Sequence, residues 1–217
     1  MLLVSPHNPT GAVIQSSLPA LSRLGLPLIC DEVFAEFPYR VASVPPVAAL
    51  HPELPVFTLN GISKLFALPD LKLGWIALNA PAAARYGARL ELLNDLYLGV
   101  NGLAQALLPE LFAHGMDFVA AMRARVRAAL TMAIARLSGC PALRVQPPDG
   151  GYYLFVRVAG CEDEEALVLR LLARGALVHP GYFYGCQAGA HVMISCLVAP
   201  DALARGVERV IEVVAGA

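Results

Sequence analysis

The apolar positions of this chain fall into two regimes. The first stretch carries short, continuous apolar segments at Leu2 to Val4, Leu26 to Cys30, Val56 to Leu59 and Leu73 to Leu78, each ended by turn residues. Runs of this kind, without a clean alternation, predict strands buried on both faces of a sheet. Between the first two, Ser17 to Leu24 places Leu18, Leu21 and Leu24 at helical spacing, with Pro19 near the start. Strand, helix, strand predicts a parallel α/β layer. From Ala80 to about Gly139 the period becomes helical: Leu90, Leu93, Leu96 and Tyr97 form one stripe, and Phe118, Met122, Val126 and Ala129 another. Gly99, Gly102 and Pro109 mark the expected breaks between these helices. The remainder predicts strands at Leu143 to Val145, Tyr152 to Val158, Ala176 to Val178 and Val192 to Leu197, a helix over Glu164 to Arg174, and a closing helix from Asp201. The fold class is therefore α/β, a partial large-domain sheet over residues 1–95 followed by a smaller α+β domain over 96–217 that includes the connecting helices.

Composition narrows the setting. The chain has 217 residues, 57% of them apolar, and a mean hydropathy of +0.60. No apolar run approaches the roughly 18 residues of a membrane span, so the excess predicts a large core and a surface that expects a partner, as in an obligate dimer. Basic and acidic residues, 16 and 17, are interspersed for a net charge of −1, which leaves no field to draw nucleic acid or an anionic membrane. Five cysteines without a C-x-x-C pair, and a start lacking a secretory leader, point to free thiols in a cytoplasm. No His/Cys cluster has metal-ligand spacing, and Ser63 has no His/Asp context of a nucleophilic serine.

Candidate chemistry sits in short motifs in a fixed order. Ser5-Pro6-His7-Asn8-Pro9-Thr10-Gly11 is a turn directly after an apolar strand, where an Asn side chain can reach a ligand at the strand's carboxyl end. Ile29-Cys30-Asp31-Glu32-Val33-Phe34 ends a buried run on two acids, and a carboxylate there needs a cation or several donors. Asn60-Gly61-Ile62-Ser63-Lys64 puts a lysine after an apolar strand and before Leu65-Phe66-Ala67-Leu68, an awkward place for a solvated amine. Gly150-Gly151-Tyr152-Tyr153 and Val178-His179-Pro180-Gly181-Tyr182-Phe183-Tyr184 follow.

This order resembles the class I/II aminotransferases of fold type I over essentially the whole chain, most specifically at Ser63-Lys64 and Leu71 to Trp75. The resemblance implies pyridoxal 5'-phosphate as cofactor, amino acid and 2-oxo acid as substrates, and a homodimer. It implies Lys64 as the catalytic residue that holds the cofactor covalently and then moves a proton. Asp31 would pair with the pyridine nitrogen, Asn8 with the phenolic oxygen, and Ser63 and Lys72 with the phosphate. Four positions depart from the family pattern. Phe34 stands where tyrosine is usual, Gly61 replaces a phosphate-binding serine, and Lys72 replaces an arginine, keeping charge but not the bidentate fork. Met193 occupies the position of the arginine that clamps the substrate carboxylate. His179 and Tyr182, with Tyr152 and Tyr184, lie in segments that border the substrate mouth in this family, and His7 lies in the Asn8 turn. The family elements that cradle the phosphate and stack on the ring would precede Asn8, so the chain reads as the C-terminal part of such an enzyme. A carbon–sulfur lyase of the same fold, or a catalytically impaired remnant acting through interactions, are the alternatives.

Overall fold

The structure is a computed structural model and describes residues 1–14 and 19–216. Its first sheet is assembled from β1 (Leu2–Val4), β2 (Leu28–Asp31), β3 (Val56–Gly61) and β4 (Gly74–Leu78), in that spatial order. β1, β2 and β3 run parallel, as strand–helix–strand segments require, while β4 returns antiparallel after the short α3 (Ile62–Leu65). Of the expected first helix, Pro19–Arg23 is observed as α1, and Ser17 and Leu18 lie outside the described residues. A second short helix, α2 (Val47–Leu50), covers the face formed by Leu28, Cys30 and Val56.

Three long helices follow: α4 (Ala80–Tyr97), α5 (Gly102–His114) and α6 (Met116–Leu137). Asn79 starts α4 by accepting the Ala82 amide at 3.1 Å, and Asn101 starts α5 by accepting that of Ala104 at 2.9 Å. The predicted break at Pro109 is not observed. Pro109 lies inside α5, whose Leu108 and Leu111 pack against the cluster around Ile62 and Leu65, and this tertiary contact outweighs the lost backbone bond. The break falls at Gly115 instead, where an added Cβ would stand 2.4 Å from the Leu111 carbonyl oxygen and 2.8 Å from the Phe66 ring.

The second sheet comprises β5 (Leu143–Val145), β6 (Tyr153–Val158), β7 (His179–Pro180) and β8 (His191–Ser195), in the order β5-β6-β8-β7. The strand expected at Ala176 to Val178 is displaced: only His179–Pro180 pair, antiparallel to β8. The alternate residues Leu154, Val156 and Val158 of β6, with Val192 and Ile194 of β8, face a core closed by α6, α7 (Glu164–Ala173) and α8 (Pro200–Ala215). On α8 the stripe Leu203, Val207, Val210, Val214 is spaced as one helical face requires.

One part of the first half belongs by packing to the second. Phe34 and Phe37, just after β2, are buried in the core beneath the second sheet, edge-on to Tyr152 at 4.9 and 5.5 Å. Pro38 pairs with Gly150, and the Gly11 carbonyl accepts both the Asp149 and Gly150 amides at 3.0 Å.

Candidate active site

In a parallel sheet, ligands gather outside the carboxyl ends of the strands. Here those ends are Val4 leading into the Asn8 turn, Asp31, and Gly61 leading into Ser63 and Lys64. Strand pairing aligns Val4 with Asp31 and Asp31 with Leu59, so the three loops emerge along one edge. Asn8, Asp31, Ser63 and Lys64 are thereby brought to one edge of one sheet. The Asn8 turn is closed by the Gly11 amide on the His7 carbonyl at 2.6 Å, and His7 itself bonds Thr10 Oγ1 at 2.9 Å. The imidazole of His7 is thus engaged in its own turn, and Ser5-Pro6 and Asn8-Pro9 are cis.

The two acids after β2 divide their work. Asp31 is half-buried, and its Oδ1 accepts the Val33 amide at 3.1 Å, while Oδ2 has no partner among the described residues. Glu32 points to the other side, where Oε1 accepts the Val47 amide at 2.8 Å and satisfies the first N–H of α2. Burial, with the neighbouring Asp31 charge as a lesser cause, pushes the Glu32 carboxyl above the usual range, although the Val47 hydrogen bond acts against it. The same pocket pushes the Cys30 thiol up to about 12 through burial and the Glu32 charge. Cys30 is accordingly an inert core thiol.

Ser63 and Lys64 are half-buried on α3, and Lys64 forms no hydrogen bond or ion pair among the described residues. The segment that follows is backbone-strained: Ala67 and Lys72 both adopt left-handed conformations, at φ 55° and 52°. Lys72 is exposed. Gly61 is fixed by space, since a Cβ there would meet the Leu73 carbonyl oxygen at 2.8 Å. A serine at this position would not fit the observed backbone.

The remaining candidates come from other elements or from the core. Phe34 is buried against Tyr152 and Tyr153 and offers no polar atom. Met193, although buried, lies on the outer face of the second sheet, opposite Phe155 on one side and His179 on the other. His179 Nδ1 bonds the Tyr184 hydroxyl at 2.8 Å, and Tyr182 is exposed. Sequence reasoning missed Glu164, whose carboxylate accepts the Tyr182 amide at 3.0 Å and the His191 amide, tying the His179–Tyr184 loop to β8. Nothing in the helix-start pattern around Glu164 signals that long-range role.

A half-buried lysine and a carboxylate oxygen, both unbonded among the described residues, thus lie with an amide-bearing turn at the carboxyl edge of a parallel sheet. The chain belongs to the class I and II aminotransferases, whose family model matches residues 1–210. The family is pyridoxal-phosphate-dependent. The chain is 33% identical over 97% of its length to the 3-methylarginine biosynthesis aminotransferase of Streptomyces arginensis, and covers 57% of that protein. It superimposes on the alanine aminotransferase of Pyrococcus furiosus with a TM-score of 0.89 at 21% identity, over 100% of this chain and 57% of that one. With the Thermus thermophilus aspartate aminotransferase the TM-score is 0.82 at 26% identity, over 98% and 56%. The chain thus spans little more than half the length of the relatives it matches.

Proposed function

We propose that this chain carries the lysine half of a pyridoxal-phosphate site that moves an amino group between an amino acid and a 2-oxo acid. The carrying observation is the convergence of Asn8, Asp31, Ser63 and an unpartnered Lys64 on one edge of the first sheet. The residues fit the cofactor: the open Oδ2 of Asp31 suits a protonated ring nitrogen, and among the described residues nothing bonds the Lys64 amine. When bound, the cofactor supplies an electron-accepting ring that takes up the charge left as a proton leaves the carbon bearing the substrate amine. Lys64 would hold the cofactor through Nζ and, once released from it, carry that proton. Asp31 would keep the ring nitrogen protonated, and Asn8 would donate its amide N–H to the ring oxygen. Ser63 and Lys72 would share the phosphate.

Substrate contacts fall to the outer face of the second sheet. His179, with Nδ1 on Tyr184, stands beside Met193, and Tyr182 lies at the rim. Family and relatives favour amino transfer over the lyase and remnant readings. The exposed stripe Leu92, Leu93, Leu96 and Tyr97 of α4, continued by Leu98, supports association as a homodimer, with the chain dividing near residue 95. Free thiols and a near-zero charge fit a cytoplasmic setting.

The test is borohydride reduction of the protein incubated with pyridoxal phosphate, followed by peptide mapping. The expected adduct lies on Lys64 and disappears in Lys64→Ala. Labelling spread over surface lysines, or unchanged in Lys64→Ala, would sink the assignment.

A further inference from the structure

A row of basic side chains crosses the outer face of the second sheet. Arg144 of β5 stands opposite Arg157 of β6, which stands opposite His191 of β8. Like charges placed directly across strands are destabilising, and this chain gives them little relief. Arg144 donates only to backbone, to the Pro141 and Leu143 carbonyls at 2.6 and 3.2 Å. Arg157 joins no ion pair among the described residues.

The row lines a cavity of about 580 Å³ together with Thr10 and Arg40 from the first half of the chain. Roughly 300–1,000 Å³ is the usual range for small-ligand sites. Among the described residues Asp149 is the one carboxylate in its lining, and it is already engaged. Its Oδ1 accepts Arg40 Nη2 at 3.0 Å, and its Oδ2 accepts the Val13 amide at 3.2 Å. Three guanidiniums therefore meet a single committed carboxylate. His191 is also oriented: its ring lies flat on Phe155, with centroids 4.6 Å apart and planes 12° from parallel. Its Nδ1 lies 2.8 Å from the Gly189 carbonyl, which can only accept, so Nδ1 carries a proton and Nε2 is the nitrogen left free.

We propose that this cavity is an anion-binding site for a small doubly charged oxyanion, a phosphate monoester or a dicarboxylate, held by Arg157 and Arg144 beside the Phe155–His191 stack. An anion bridging the two guanidiniums converts a repulsive cross-strand pair into a pair of forked, charge-assisted hydrogen bonds. The cavity borders the Asn8 turn at Thr10 but its lining includes neither Lys64 nor Asp31, and its test reads anion binding through Arg157 rather than the chemistry of Lys64.

The test is calorimetric titration of the protein as purified with inorganic phosphate and, separately, with glutarate. Saturable binding is expected, weakened at least tenfold in Arg157→Gln and unchanged in Arg136→Gln, a control whose arginine pairs with Glu208 on α6 and α8. A preference for phosphate or for glutarate supports the site and identifies its source. Arg157→Gln should melt no lower than the parent in anion-free buffer, because the substitution removes a repulsion, so lost binding will not reflect unfolding. Binding of neither probe at millimolar concentration, or equal binding by parent and Arg157→Gln, overturns the proposal and leaves an adventitious ion only.

Discussion

Leu154, Val156 and Val192, at the centre of the second sheet, have no exposed surface, whereas Leu2, Ile29 and Ile76 on one face of the first are 67%, 41% and 50% exposed. The second sheet is closed by three helices and by two phenylalanines borrowed from the first half of the chain. The first is covered by α2 and a small cluster on one side, and on the other only in part, where Tyr86 of α4 meets Phe57. Strand register puts Asp31 on that open face, in line with Leu59 and Ile76. Completeness of packing and the position of the parallel strand ends are thus separate properties here: the closed sheet is the second, while Asp31 and the segment bearing Lys64 follow strands of the thinly covered one.

The contrast can be tested by substitution. Leu154→Ala should cost about 2–5 kcal/mol, the range for emptying a well-packed core position, while Ile29→Ala should fall within about 0.5 kcal/mol; urea unfolding of both variants would show it. A large loss for Ile29→Ala would mean that the open face is covered in solution. Gly11→Ala comes next, at about 2 kcal/mol or more, because φ is +70° and a Cβ would lie 2.2 Å from that of Pro148. Its thermal midpoint should fall well below that of Gly25→Ala, where φ is +61° but nothing lies within 4 Å. Asp149→Ala should cost about 1–3 kcal/mol, since it strands the Val13 amide and the Arg40 guanidinium. The smallest effect belongs to Glu32→Gln. With its carboxyl raised by burial, the folded chain holds a proton that the unfolded chain releases, so stability falls as pH rises from the ordinary carboxylate value through the raised one. Glutamine keeps an acceptor for Val47 and should flatten that fall, with the difference vanishing at pH 4; melting curves from pH 4 to 7.5 read it directly.

Much of this was legible in the chain. Leu2–Val4 and Leu143–Val145 form strands at the residues where their apolar runs begin and end. The local order of Asn8, Asp31 and Lys64 pointed to one edge because parallel strands force that outcome. What escaped depended on contacts remote in sequence. Pro109 carries a local breaker signal that packing overrode. Ala176 and Val178 alternate as buried residues without pairing, since burial and strand pairing are independent demands. The pairing of Arg144 with Arg157, and of Met193 with His179, exists only in register, which no single segment encodes.

Phe34 and Phe37 have a practical corollary for anyone who would divide this protein. A cut near residue 95 follows the sheets but not the packing, and a piece spanning 96–217 would carry a hole where two aromatic rings had filled the space beside Tyr152. Grafting the short stretch from Phe34 to Arg40 back onto that piece would restore the rings, the Pro38–Gly150 pairing and the Arg40–Asp149 contact together. The natural seam of the molecule is therefore discontinuous along the chain, and swapping its parts between relatives would succeed only along that seam.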